Sequence, residues 1–144
     1  MQNITLPMHG EIFRWNWYSN KKSLLIQIVE VDMQKIVVRK EEAQKREFKG
    51  VSLDSLAVGE KSMVTKMNYV KGNFATTHRH PHEQCGYVVS GEYRLRVELE
   101  DKPIDVLLHA GDSYAIPGNT PHSFEVITGG EVIDVFTPHR EDYL

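Results

Sequence analysis

From Val51 to Phe136 the chain is cut by a turn signal roughly every 8 to 12 residues, the rhythm of many short strands rather than of helices. The signals are "GEK" at 59–61, "KGN" at 71–73, "SG" at 90–91, "DKP" at 101–103, "AGD" at 110–112, "PGN" at 117–119 and "TGG" at 128–130. Between them lie β-branched and aromatic runs: "VSLDSLAV" (51–58), "SMVTKMNYV" (62–70), "IDVLLH" (104–109), "SYAI" (113–116), "HSFEV" (122–126) and "EVIDVF" (131–136). "YRLRVEL" (93–99) alternates strictly, with Tyr93, Leu95, Val97 and Leu99 on one face and Arg94, Arg96 and Glu98 on the other. "KIVVRK" (35–40) reads as a first strand, and "KEEAQK" (40–45) is the only invitation to a short helix. The expected fold is all-β, a single jelly-roll barrel.

A chain of 144 residues supplies one ordinary domain, here expected over 33–144. Residues 1–32 lack the turn-and-strand rhythm and read as an N-terminal extension. Two readings stay open for it. "SLLIQIVEV" (23–31) is one added strand that covers a sheet edge or crosses to a partner, or translation begins at Met33 behind a purine-rich stretch encoding "EVDM" (30–33).

A net charge of −3 gives nucleic-acid binding no electrostatic support. The dense run from Lys35 to Lys49 is mixed in sign, as a solvated surface is. No apolar stretch approaches the ~18 residues of a membrane span. With one cysteine, Cys85, and no basic-then-apolar leader, the expected location is the cytoplasm.

The chemistry concentrates in "HRHPHEQCGYVVSG" (78–91). On a strand, His78 and His80 point to one face, so both imidazoles reach into a barrel and can share an ion. Pro81 breaks the strand after His80, and Gln84 opens the next one. His122 begins a later strand after the rigid turn "IPGNTP". His82 follows a proline in a loop and is not expected to ligate. Cys85 alternates away from Gln84 as a small packed residue. His9, His109 and His139 read as ordinary surface or turn residues.

"GNFATTHRHPHEQCGYVVSG" (72–91) resembles the first motif of the cupin superfamily, with Gly72, His78, His80, Gln84 and Gly91 in the motif places. "GDSYAIPGNTPH" (111–122) resembles the second, with Gly111, Pro117 and His122 in register and Asn119 where a glycine is usual. The resemblance implies a cupin barrel in which His78, His80, position 84 and His122 hold a metal ion. Three neutral imidazoles suit a divalent transition metal, Zn, Ni, Fe, Mn or Co, without choosing among them.

Gln84 stands where a carboxylate is usual. A neutral amide leaves the ion its full positive charge, which disfavours higher oxidation states and favours Lewis-acid chemistry on an anionic substrate. Two further groups converge on such a site. Asp134 shares a strand face with Val132 and Phe136, and a carboxylate among apolar neighbours is costly unless partnered or useful; an outward salt bridge is its other reading. Arg140, just past the strand, can clamp a substrate carboxylate with two parallel hydrogen bonds, or lie alone on the surface.

The pattern "HxHPHEQxGYVxxG" with a terminal "DVFTPxREDYL" is similar to pectin-degradation cupins of the KdgF type. That resemblance implies a homodimer whose substrate is a small anionic sugar, a 4,5-unsaturated uronate. It implies ring opening and ketonisation to the linear keto acid, with Asp134 and Arg140 catalytic. A sugar-acid binding or sensing cupin without turnover and a cupin dioxygenase are the alternatives.

Overall fold

A computed structural model describes residues 35–48 and 50–144, and the expected added strand at 23–31 and the start at Met33 lie outside them. Among the described residues, ten strands form two antiparallel sheets. They are β1 (Gln44–Phe48), β2 (Val51–Val58), β3 (Met63–Tyr69), β4 (Phe74–His78), β5 (Glu83–Val88), β6 (Glu92–Val97), β7 (Ile104–His109), β8 (Ser113–Ile116), β9 (His122–Thr128) and β10 (Gly130–Thr137). One sheet has the order β1-β2-β3-β10-β5-β8 and the other β4-β9-β6-β7. No α-helix occurs among the described residues. The all-β expectation is met, and no described helix is long and apolar enough to cross a membrane.

Period-two alternation builds the interior. Val51 and Leu53 of β2, Met63 and Met67 of β3, and Val132 and Phe136 of β10 face inward from the larger sheet. Tyr93, Leu95 and Val97 of β6 and Phe124 and Val126 of β9 face them from the smaller one. Outward Arg94 and Arg96 both reach Asp105 on the neighbouring strand, as cross-strand pairs do. Leu99 does not continue the row, because β6 stops at Val97 and Leu99 is 38% exposed.

The start of the domain departs from expectation. "KIVVRK" is not a strand: Ile36 is 92% exposed, and Lys40–Glu42 form a short 3-10 turn. Glu42 explains the turn, accepting the Arg39 N–H at 2.8 Å and pairing with Lys35 at 2.9 Å. The first described strand is instead the polar "QKREF", at the end of the described sheet and held by its pairing with β2. Charged edges of this kind discourage further strand addition, and they carry no hydrophobic signal in the sequence.

Two placements set up the site. β10 lies between β3 and β5, so its inward residues are covered on both sides. β9 lies between β4 and β6, and the register sets His122 directly opposite His78.

Candidate metal centre

His78, His80 and His122 bring their candidate ligand atoms within 4.8 Å of one another. His78 and His122 are cross-strand partners with ring centroids 4.4 Å apart. His80 arrives differently from the strand-alternation argument. β4 ends at His78, and His80 lies two residues beyond, in the segment leading to Pro81. Its carbonyl accepts the Asn119 N–H at 2.7 Å, which ties this segment to the 117–120 turn. Asn119 has φ 62°, a left-handed conformation that asparagine tolerates, so it serves where the motif usually has glycine.

Each ring is oriented by a backbone carbonyl. Nδ1 of His78 meets Thr76 O at 2.9 Å, Nδ1 of His80 meets His82 O at 3.1 Å, and Nδ1 of His122 meets Thr120 O at 2.8 Å. A carbonyl only accepts, so each ring carries a proton on Nδ1 and Nε2 is the nitrogen left for a ligand. His82 thus stays outside the triad but supplies the carbonyl that aims His80.

Gln84 lies against the triad. Its Oε1 lies 3.2 Å from His80 Nε2. Burial first, then the charge of Arg140 and the neighbouring His122, pushes His80 down to about 4, and burial also pushes His122 down. Both rings are neutral near pH 7, so His80 Nε2 has no proton to offer Gln84. Two lone pairs face each other, an arrangement that a shared cation resolves. The three imidazoles could hold a divalent ion, and the Gln84 amide oxygen lies beside one of them. Cys85 points outward as alternation requires, but it is exposed rather than packed.

The amide of Gln84 is not free to flip. Its Nε2 donates to Asp134 Oδ1 at 2.9 Å, which turns Oε1 toward the histidines. Tyr114 Oη donates to the same oxygen at 2.8 Å. Asp134 is 1% exposed, inward on β10 and not in an outward salt bridge. Burial pushes its carboxyl up to about 6 against the opposing pull of these two donors and of Arg140. A glutamate at position 84 would set two carboxylates head to head here. That is the local reason for an amide.

Arg140 is 7% exposed and not a surface arginine. Its Nε and Nη2 already form a bidentate pair with Asp142, at 3.1 and 2.6 Å. Its guanidinium carbon lies 3.9 Å from the Tyr143 ring centroid and 5.2 Å from that of Phe136. The expected two-bond clamp on a substrate is thus occupied by an internal carboxylate, a pair in which Nη1 takes no part. Asp142, Tyr143, Tyr114 and the three orienting carbonyls were not singled out from the sequence.

Gln84, Asp134, His78, His122 and Arg140 share one cavity of about 260 Å³, otherwise walled mostly by apolar and aromatic side chains. That is just below the ~300–1,000 Å³ of ordinary ligand pockets and suits a small molecule rather than a polymer.

The chain belongs to the cupin family: residues 65–136, half of its length, match the cupin domain. It is similar to a solved RmlC-like cupin from Shewanella frigidimarina, at 31% identity and a TM-score of 0.69, over 78% of this chain and 100% of that one. It is also similar to KdgF from a Halomonas species, at 28% identity and a TM-score of 0.66, over 75% of this chain and 97% of that one. Among curated proteins it matches the acireductone dioxygenase of Bacillus licheniformis, 29% identical over 97 residues, 67% of this chain. The chain spans about half the length of that relative, 52%.

The metal reading has a direct consequence. His122→Ala removes one of three imidazoles and is expected to weaken zinc binding by more than the ~10–100-fold typical of losing an outer-shell partner. Competition with a chelating dye measures it. At a free zinc concentration 100 times the dissociation constant, the wild type gains about 2.7 kcal/mol of stability from the ion. The variant should show little of that gain in a melting curve, and equal gains in both chains would contradict the ligand assignment.

Proposed function

We propose that the protein opens the ring of 4,5-unsaturated monouronates and carries them to the linear keto acid. His78, His80, Gln84 and His122 hold the metal, and Asp134 and Arg140 act on the substrate. The observation that carries this reading is Asp134. It is a buried carboxylate facing a small cavity, bonded to the amide that completes the ligand set and pushed up to about 6. A base is most useful when its pKa lies near the working pH. The likeness to KdgF from Halomonas supports the same reading.

A divalent ion bound by these four donors would supply Lewis-acid polarisation of substrate oxygen. The chain's own residues do the rest. Arg140 offers positive charge to the uronate carboxylate through Nη1, the end that Asp142 leaves open. Asp134 accepts the proton of the anomeric hydroxyl, so that the carbonyl forms as the ring C–O bond opens. Phe136, Tyr143 and Phe48 wall the cavity and limit water around the enol that results.

A second reading is a dioxygenase, favoured by the match to acireductone dioxygenase. Neutral Gln84 speaks against it, since an anionic ligand would better support higher oxidation states. One assay separates the two. The substrate's C4=C5 bond is conjugated with its carboxylate, and ketonisation removes that ultraviolet absorbance. We expect the absorbance to fall faster than the spontaneous rate with no oxygen consumed. Iron-dependent oxygen uptake supports the dioxygenase instead, and tight sugar-acid binding without any decay supports a sensor.

A further inference from the structure

Three phenols line the cavity, Tyr69, Tyr114 and Tyr143, and of these Tyr114 is the one hydrogen-bonded to Asp134. Its place is built into the sheet. Tyr114 on β8, Gly86 on β5 and Asp134 on β10 stand in one register row. Gly86 faces inward between the other two, and a Cβ there would overlap the Tyr114 ring. The barrel forgoes one interior side chain, and the space it leaves is filled by the phenol that reaches Asp134.

The proposed reaction needs two proton movements at opposite corners of the sugar ring. A proton leaves the oxygen on C1, and a proton arrives on C4, across the ring from it. One carboxylate beside the anomeric hydroxyl is badly placed to serve both. We infer that Tyr114 is the acid that delivers the proton to C4, working as a pair with Asp134. This rests on the function proposed above.

The balance closes without any added reagent. The anomeric O–H breaks and its proton passes to Asp134. C1=O forms as the C1–O5 bond breaks, and that electron pair leaves with O5 as the enolate C4=C5–O5. The Tyr114 proton then bonds to C4 as C5=O forms. Asp134 returns the proton it holds to the phenolate oxygen, across the hydrogen bond that measures 2.8 Å in the resting protein. One proton has moved from oxygen to carbon, and the pair ends as it began.

The test is the reaction of metal-loaded protein in D2O, followed by proton NMR at early times. The wild type should place one deuterium on a single face of C4. Tyr114→Phe keeps the ring and loses only the hydroxyl. It should form product at least tenfold more slowly and label both faces, because solvent then supplies the deuteron. Melting curves show whether the variant is folded. If it is not, 3-fluorotyrosine at position 114 keeps the shape and alters the acid. The solvent isotope effect should then change, and an unchanged one overturns the assignment. A wild type that leaves the sugar at its spontaneous rate contradicts the proposed function and Tyr114 with it. An active wild type beside an unimpaired, single-face Tyr114→Phe chain overturns the Tyr114 assignment alone.

Discussion

Asp134→Asn should lower turnover of unsaturated uronate by about 10²–10⁴-fold while leaving metal content unchanged. Asparagine keeps an acceptor oxygen in the place of Oδ1, so the hydrogen bonds from Gln84 and Tyr114 can persist. What disappears is the charge and the ability to take a proton. The same substitution has a second signature in metal-free protein. Burial raises the Asp134 carboxyl from 3.8 to about 6, so the folded chain holds this proton more tightly than the unfolded one. The resulting stability is fully present below pH 3.8 and is lost as pH rises through about 6. The displacement corresponds to about 3 kcal/mol. Denaturant melts of chelator-treated protein between pH 4 and 7 should show this decline in the wild type relative to Asp134→Asn. Parallel profiles for the two chains, or wild-type turnover in the variant, would remove Asp134 from its role.

The second large effect concerns Gln84. Gln84→Glu puts a carboxylate where an amide N–H now donates to Asp134 at 2.9 Å. Two carboxylates that close cannot both ionise, as in acid dyads, so the metal-free variant should lose stability at neutral pH. Adding Asp134→Asn should restore it, because the new amide at position 134 then donates to the new carboxylate at position 84. The bond returns with its direction reversed. Thermal melts of the four chains give the coupling energy, expected at about 1–3 kcal/mol in favour of the double variant. Additive effects would mean that positions 84 and 134 do not constrain each other. The pair also moves one negative charge from beside the site into the ligand set. With iron bound, the double variant should hold the ferric state more readily than the wild type.

Much of this is legible in the sequence, for identifiable reasons. Val132, Asp134 and Phe136 follow from period two alone, and β10 keeps that period without a bulge. The triad follows from the two cupin motifs that the sequence resembles, although His80 reaches the site from beyond its strand. Failures cluster where a residue's role depends on which partner the fold places beside it. "QKREF" is a strand because β2 pairs with it, and "KIVVRK" is not a strand because no described strand pairs with it. Arg140 reads as a free clamp until the chain end brings Asp142 against it. Tyr114 acquires meaning from a register row joining positions 86, 114 and 134. One signal was present: Gly86 stands at an inward position between Gln84 and Val88, where an interior without a partner ring would be hollow.

The most direct test of the whole account is anaerobic. Unsaturated galacturonate freshly released by a lyase is followed by proton NMR with protein stripped of metal and with the same protein reloaded with a divalent ion. The account requires rapid appearance of the linear keto acid with reloaded protein and only the spontaneous rate with stripped protein, oxygen being absent throughout. Equal rates with the two preparations, or conversion that begins only when oxygen is admitted, would contradict it.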